Sequence, residues 1–236
     1  MKYMKSNKHE FLYVVWRDPR SRRNYVIGKL ARGNKYTFNY CADYKNAQEV
    51  GWELLDAFPE EKEYESDVLF AAFAGRLPDP KRRGIESILQ KYGLSEFDGY
   101  ELLKKSTGRL PFDTYEFIDP ILPEDEDVQR EFYLMGVRHY LGCNGTDCSV
   151  KAGLRVGDEL ILVMEPDNVS DPNAVKVESS DHLMYGYIPR YYSEGVTSRI
   201  SKGMTYSCVV IEIDDSSDCE NCIKVRLKMP KDNVVF

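Results

Sequence analysis

Long apolar runs are missing from this 236-residue chain. The run FLYVVW, Phe11 to Trp16, is too short for a signal-peptide core. VLFAAFAG, Val68 to Gly75, falls far short of the ~20 residues that span a bilayer. The expectation is a cytoplasmic protein with no membrane partner. An excess of positive charge is missing too: 32 Lys and Arg face 39 Asp and Glu, for a net charge of −7. The half from residue 129 onward is itself net acidic, so any nucleic-acid contact there must be a small pocket rather than a basic face. No P-loop, Gly-rich nucleotide loop or His-Arg-Asp signature occurs. The three histidines, His9, His139 and His182, stand in no arrangement with a nucleophile or metal cluster that supports hydrolysis. An enzyme is not expected.

What is present can fold. With 42% hydrophobic and 12% aromatic residues, the chain can bury a sizeable core, most simply as two domains of about 100 residues each. The division falls at DPILPEDEDVQREF, where Glu124, Asp125, Glu126 and Asp127 follow two prolines; such a run repels itself and favours an extended linker. This places a first domain at 1–122, a linker at 123–130 and a second domain at 131–236.

In the first domain FLYVVW, NYVIGKLA and KYTFNY read as a strand meander. Helical spacing follows in AQEVGWELLDAF, DVLFAAFAG, KRRGIESILQKYG and SEFDGYELLKKSTG, with Ser95 as an N-cap and Gly93 and Gly108 as stops. TYEFI is expected to return as a closing strand, which makes an α+β domain, a small β-meander plus helices. The second domain is mostly β. EFYLMGVRHYL, DELILVMEP, NAVKVES, HLMYGYIP, YSCVVIEID and CIKVRLKM supply six strands, interrupted by one helix between Pro189 and Gly203. A small closed or nearly closed barrel removes exposed strand edges and leaves the loops free for function.

Six cysteines in a reducing compartment are thiols or metal ligands rather than disulfides. CNGTDC (Cys143, Cys148) and CENC (Cys219, Cys222) read first as two unrelated polar loops; brought together, they could each supply half of a tetrahedral structural zinc site. Cys41 and Cys208 lie in strand-like runs and read as small core residues.

The loop EPDNVSDPNAVKV, Glu165 to Val177, is dense in carboxylates and amides. Turn chemistry accounts for that density by itself, since Asp and Asn bond their own backbone and Pro presets its angle. A second account comes from the neighbouring motifs.

VIGKLARGNKYTFNY followed by LFAAFAGRLPDPKRRGIESILQKYGLSEFDGYELLKKSTG resembles the N-terminal subdomain of HipA-type toxin kinases, over roughly residues 10 to 120. Those kinases continue into a catalytic lobe that this chain is too short to hold, so the resemblance implies a packing or docking unit, antitoxin-like, with a HipA-like kinase as partner. GVRHY, VGDELILVMEPDNVSDPNAVKV and YGYIP, in that order, strongly resemble the HIRAN domain over Glu131 to about Met229. That module stands alone in bacteria and is fused to DNA-remodelling helicases in eukaryotes. The resemblance implies an OB-like barrel that captures the 3′ end of single-stranded DNA.

On that resemblance Asp171 accepts a hydrogen bond from the 3′ hydroxyl, Asn168 makes a neighbouring polar contact, and Arg138 and Arg190 suit phosphate. His139, Tyr140 and Tyr187 offer planar groups to bases. Ser170 stands where DNA-binding members place an aromatic residue, and His139 where they place a tyrosine, so weaker stacking is expected. Read without the family, Arg138, His139 and Tyr140 are strand surface, Asp171 and Asn173 turn caps, and Tyr187 core. The basic turns RDPRSRR and PKRRG read either as an extension of the DNA path or as a surface for solvent or an acidic partner.

Overall fold

The computed structural model describes residues 10–123, 125, 127–142, 153–214 and 221–231. The chain divides between Pro120 and Ile121 into two compact units.

In the first unit, β1 (Phe11–Arg17), β2 (Asn24–Arg32) and β3 (Tyr36–Tyr40) form the antiparallel meander that their alternating apolar residues predict. β4 (Tyr64–Ser66), which the pattern did not predict, adds to β3. β5 (Tyr115–Ile118) returns to β1, giving the order β4-β3-β2-β1-β5. The helices are α1 (Tyr44–Glu49), α2 (Ala71–Ala74), α3 (Ile85–Lys91) and α4 (Gly99–Ser106). The helical spacing of AQEVGWELLDAF ends early. Gly51 takes a φ of 97°, and the Trp52 N–H donates back to the Ala47 carbonyl at 3.0 Å, which turns the indole into the core. The cap of α4 is Asp98 rather than Ser95, because the Asp98 carboxylate accepts from the Glu101 N–H at 3.0 Å.

The core of this unit is aromatic. Phe38 is fully buried, with the Phe58 and Phe73 rings 4.4 and 5.4 Å away. A Cβ on Gly28 would lie 2.5 Å from the Phe38 ring, which gives the glycine of VIGKL a packing reason. Arg76 bonds both carboxylate oxygens of Asp113 at 2.7 and 2.6 Å and the Gly108 carbonyl at 2.7 Å, tying the end of α2 to the entry of β5.

All six strands expected in the second unit are present: β6 (Val128–Tyr133), β7 (Glu159–Met164), β8 (Val175–Glu178), β9 (Met184–Tyr187), β10 (Ser207–Ile213) and β11 (Ile223–Met229). They form one antiparallel sheet in the order β6-β11-β10-β7-β8-β9. The sheet curls until Met135, just past β6, meets Tyr187 at the far edge through a single bridge with two hydrogen bonds of 2.8 and 2.9 Å. A Cβ at Gly186 would sit 2.5 Å from the Met135 carbonyl, so this closure needs glycine there. Inward residues of alternating strands, among them Leu162, Val175, Val177, Val210, Val225 and Leu227, fill the curl.

One predicted strand is shorter than its pattern. EFYLMGVRHYL leaves the sheet at Gly136, whose φ of 75° turns the chain into α5 (Val137–Tyr140). Only Val137 in this turn is apolar and buried, so Arg138, His139 and Tyr140 project from a helical turn and not from a strand. The second helix, α6 (Arg190–Ser201), fills the interval predicted between Pro189 and Gly203. Its Arg199 is fully buried and donates to the carbonyls of Leu122, Asp125 and Met229. Asp125 is buried in turn and accepts from the Leu122 N–H at 2.8 Å. Part of the acidic run is therefore folded against the second unit, and β6 begins at Val128, inside the span expected to be a linker.

Candidate nucleic-acid interface

Two turns and a short helix come together around Tyr187 at the closing edge of the curled sheet. β9 delivers Tyr187 and then runs through Pro189 into α6, which places Arg190 at the first helical position. α5 packs against β9, and Tyr140 meets Tyr187 edge-on with ring centroids 5.8 Å apart. The loop from Glu165 to Ala174 joins β7 to β8 and forms the third wall.

Within that loop the side chains of Glu165, Asn168 and Asp171 are held by named partners. Asn168 donates through its amide nitrogen to Glu165 Oε2 at 2.9 Å. Its amide oxygen accepts from the Ser170 and Asp171 N–H groups at 3.0 and 3.2 Å. Among the described residues the second N–H of the Asn168 amide meets no acceptor and is open to a ligand. Asp171 Oδ1 accepts from the Asn173 N–H at 2.9 Å, and Oδ2 lies 3.9 Å from Arg190 Nε. The Asp171 side chain keeps 17% of its surface open and that of Arg190 42%, so both reach solvent while facing each other. A carboxylate with two oxygens has lone pairs to spare after these contacts and can accept a further hydroxyl.

Glu165 is the member that inspection of the motif missed. Its Oε2 accepts from the Tyr187 hydroxyl at 2.8 Å as well as from Asn168, and its Oε1 lies 3.7 Å from Lys176 Nζ. The bonds from Asn168 and Tyr187 hold its carboxyl below the usual glutamate range. Burial, together with the bonds to Tyr140 and Glu165, pushes the Tyr187 phenol well above its ordinary value, so it stays a hydrogen-bond donor. Lys176 also pairs with Glu178 at 3.2 Å, and its ammonium is raised first by that partner. The available signal was the spacing: Glu165 and Asn168 stand three apart across a tight turn.

The structure thus links Tyr140, Tyr187, Asn168, Asp171 and Arg190 through direct contacts, with Glu165 at the centre. Arg138 and His139 are exposed beside Tyr140 on α5, and Arg138 Nε lies 3.4 Å from His139 Nε2. Cys143, Cys148 and Cys219 lie outside the described residues. Cys222 is buried, and its carbonyl accepts from the Asp214 N–H at 2.9 Å, beside the start of β11. Among the described residues no three His, Cys, Asp or Glu side chains are grouped to hold a metal ion. None of the described helices is long and apolar enough to cross a membrane.

Comparison with known proteins agrees with the two motif sets. Residues 129–229 match the HIRAN domain and residues 22–111 the HipA N-terminal domain. No curated protein matches the chain. Two crystal structures share similarity with 44% of it, each at a TM-score of 0.34: a protein from Lactobacillus plantarum, 23% identical and matched over 96% of its length, and the HIRAN domain of human HLTF, 14% identical and matched over 74%. The chain therefore joins a HipA N-terminal domain, residues 22–111, to a HIRAN domain, residues 129–229.

Proposed function

We propose that the HIRAN domain of this protein is a nucleic-acid-binding module that captures the 3′ end of single-stranded DNA and catalyses no reaction on it. The observation that carries the reading is the partly open Asp171 carboxylate, fixed by the Asn173 N–H and faced by Arg190, within one connected set that also holds two tyrosine rings. A terminal nucleotide presents a base face, a phosphate and a hydroxyl donor, and this set offers a matching group to each. A carboxylate beside a phosphate chain is otherwise repulsive, so its place here is selective. It accepts from a free 3′ hydroxyl and repels a 3′ phosphate.

Fluorescence anisotropy with a labelled oligonucleotide tests the reading. Binding to a 3′-hydroxyl strand at moderate salt and weaker binding to its 3′-phosphate counterpart are expected; equal binding to both ends would remove end capture. A second reading, an antitoxin-like module that docks a HipA-type kinase, draws on the HipA N-terminal domain match and on Phe112 and Val68, apolar side chains exposed on the first unit. It is favoured if neither strand binds. Zinc held by Cys143, Cys148, Cys219 and Cys222 would be structural, because an all-cysteine shell leaves no open position. Metal analysis of protein purified without chelator tests for about one zinc per chain.

A further inference from the structure

We propose that Glu165 is the positioning residue of this pocket, holding Asn168 and Tyr187 in the arrangement that lets Asp171 read a strand end, without itself touching the nucleic acid. The inference rests on the end-capture reading for its consequence but not for its geometry. One oxygen, Oε2, receives both the Asn168 amide at 2.9 Å and the Tyr187 hydroxyl at 2.8 Å, so a single atom joins the β7–β8 loop to β9. Fixing the Asn168 nitrogen on Glu165 also fixes where its oxygen points. That oxygen holds the N–H groups of Ser170 and Asp171, the residue that carries the reading carboxylate. Tyr187 in turn presents its ring to Tyr140. The other oxygen of Glu165 lies 3.7 Å from Lys176, a cation it shares with Glu178, so part of its charge is met within the protein.

Two variants separate position from charge. E165Q keeps an oxygen able to accept both bonds and loses the charge; E165A loses both bonds. In DNA-free protein, hydrogen exchange at the Ser170 and Asp171 amides should quicken about tenfold in E165A, the size of effect one lost hydrogen bond has on an opening equilibrium, and stay near the parent rate in E165Q. Unchanged exchange in E165A overturns the proposal whether or not DNA binds. With DNA, the ratio of 3′-hydroxyl to 3′-phosphate affinity should fall about tenfold in E165A and be rescued in E165Q. A ratio that E165A leaves intact, with the parent discriminating, also overturns it. A parent that fails to discriminate counts against end capture instead, and the exchange result then stands alone for Glu165.

Discussion

Arg76 and Arg32 of the first unit serve a different end from Arg138 and Arg190 of the second. In the first, Arg76 spends its donors on Asp113 and on the Gly108 and Tyr115 carbonyls with 10% of its side chain exposed, while Arg32 pairs with Glu10, Asp98 and Glu101 and lies over the Tyr100 ring. These guanidiniums hold strands, helices and turns together and have little left for a ligand. In the second unit Arg138 is exposed on α5, and Arg190 faces Asp171 at the long distance of 3.9 Å with 42% of its side chain open. Two sets of aromatic residues show the same contrast. Phe38, Phe58 and Phe73 are sealed in the first core, while Tyr140 and Tyr187 meet in a partly exposed pocket of the second. A side chain's role is set by how many of its bonding positions the fold has already consumed.

The sharpest break of that comparison is Arg76→Ala. It leaves the Asp113 carboxylate unpaired and the Gly108 carbonyl short of its donor, and the loss for a largely buried pair is about 3–5 kcal/mol. Urea unfolding of the first unit should show it, with DNA affinity at low temperature unchanged. A loss under about 1 kcal/mol would reduce Arg76 to an ordinary surface pair.

Next in size is Asp171. D171N keeps an oxygen for the Asn173 N–H and removes the charge, so the fold should hold while affinity for 3′-hydroxyl strands falls by about 1.5–3 kcal/mol and discrimination against 3′ phosphate shrinks. If binding is unchanged and the protein melts lower, Asp171 is a turn cap only. Ser170 sharpens the same contrast from the other side. A tyrosine there restores a stacking surface, and Ser170→Tyr should tighten every strand by roughly 1–3 kcal/mol whatever its end. Arg138→Ala should weaken all strands alike and lower the salt slope by about one. An unchanged slope would mean Arg138 touches no phosphate.

How much of this was legible in the sequence depended on whether a local pattern had a competitor. All six strands of the HIRAN unit were visible because short runs rich in apolar and β-branched residues stand between turn residues, continuous in LILVM and alternating in IKVRLKM. GVRHY misled because one alternating run was extended past Gly136, where a positive φ ends the strand, and too few apolar residues follow to mark a helix. β4 was invisible because three residues make no period, and Tyr64–Ser66 is recruited by the edge of β3. Asp98 displaced Ser95 because both types cap well and only the register of α4 decides between them. In the candidate pocket, residue types and motif order pointed to Asp171 and Arg190. The hub, Glu165, could not be seen, since its role depends on Tyr187 arriving across the sheet, 22 residues along the chain.

The smallest expected effect concerns the charge on that hub. Hydrogen bonds from Asn168 and Tyr187 favour the ionised form of Glu165 and lower its pKa below the ordinary value of 4.5. A carboxyl whose folded pKa is depressed binds its proton more weakly folded than unfolded. The stability it contributes is therefore fully present above about pH 4.5 and is lost as pH falls through the folded pKa. E165Q has no such proton to take up. The difference in unfolding free energy between parent and E165Q should thus be flat from pH 7 to about pH 5.5 and shift against the parent below pH 4.5. Urea unfolding of both proteins in matched buffers from pH 7 to pH 3 measures it, each curve serving as the other's control for the remaining carboxylates. A difference that stays constant across the whole range would show that the charge of Glu165 adds nothing to the fold, and that its two hydrogen bonds act through an oxygen that glutamine supplies equally well.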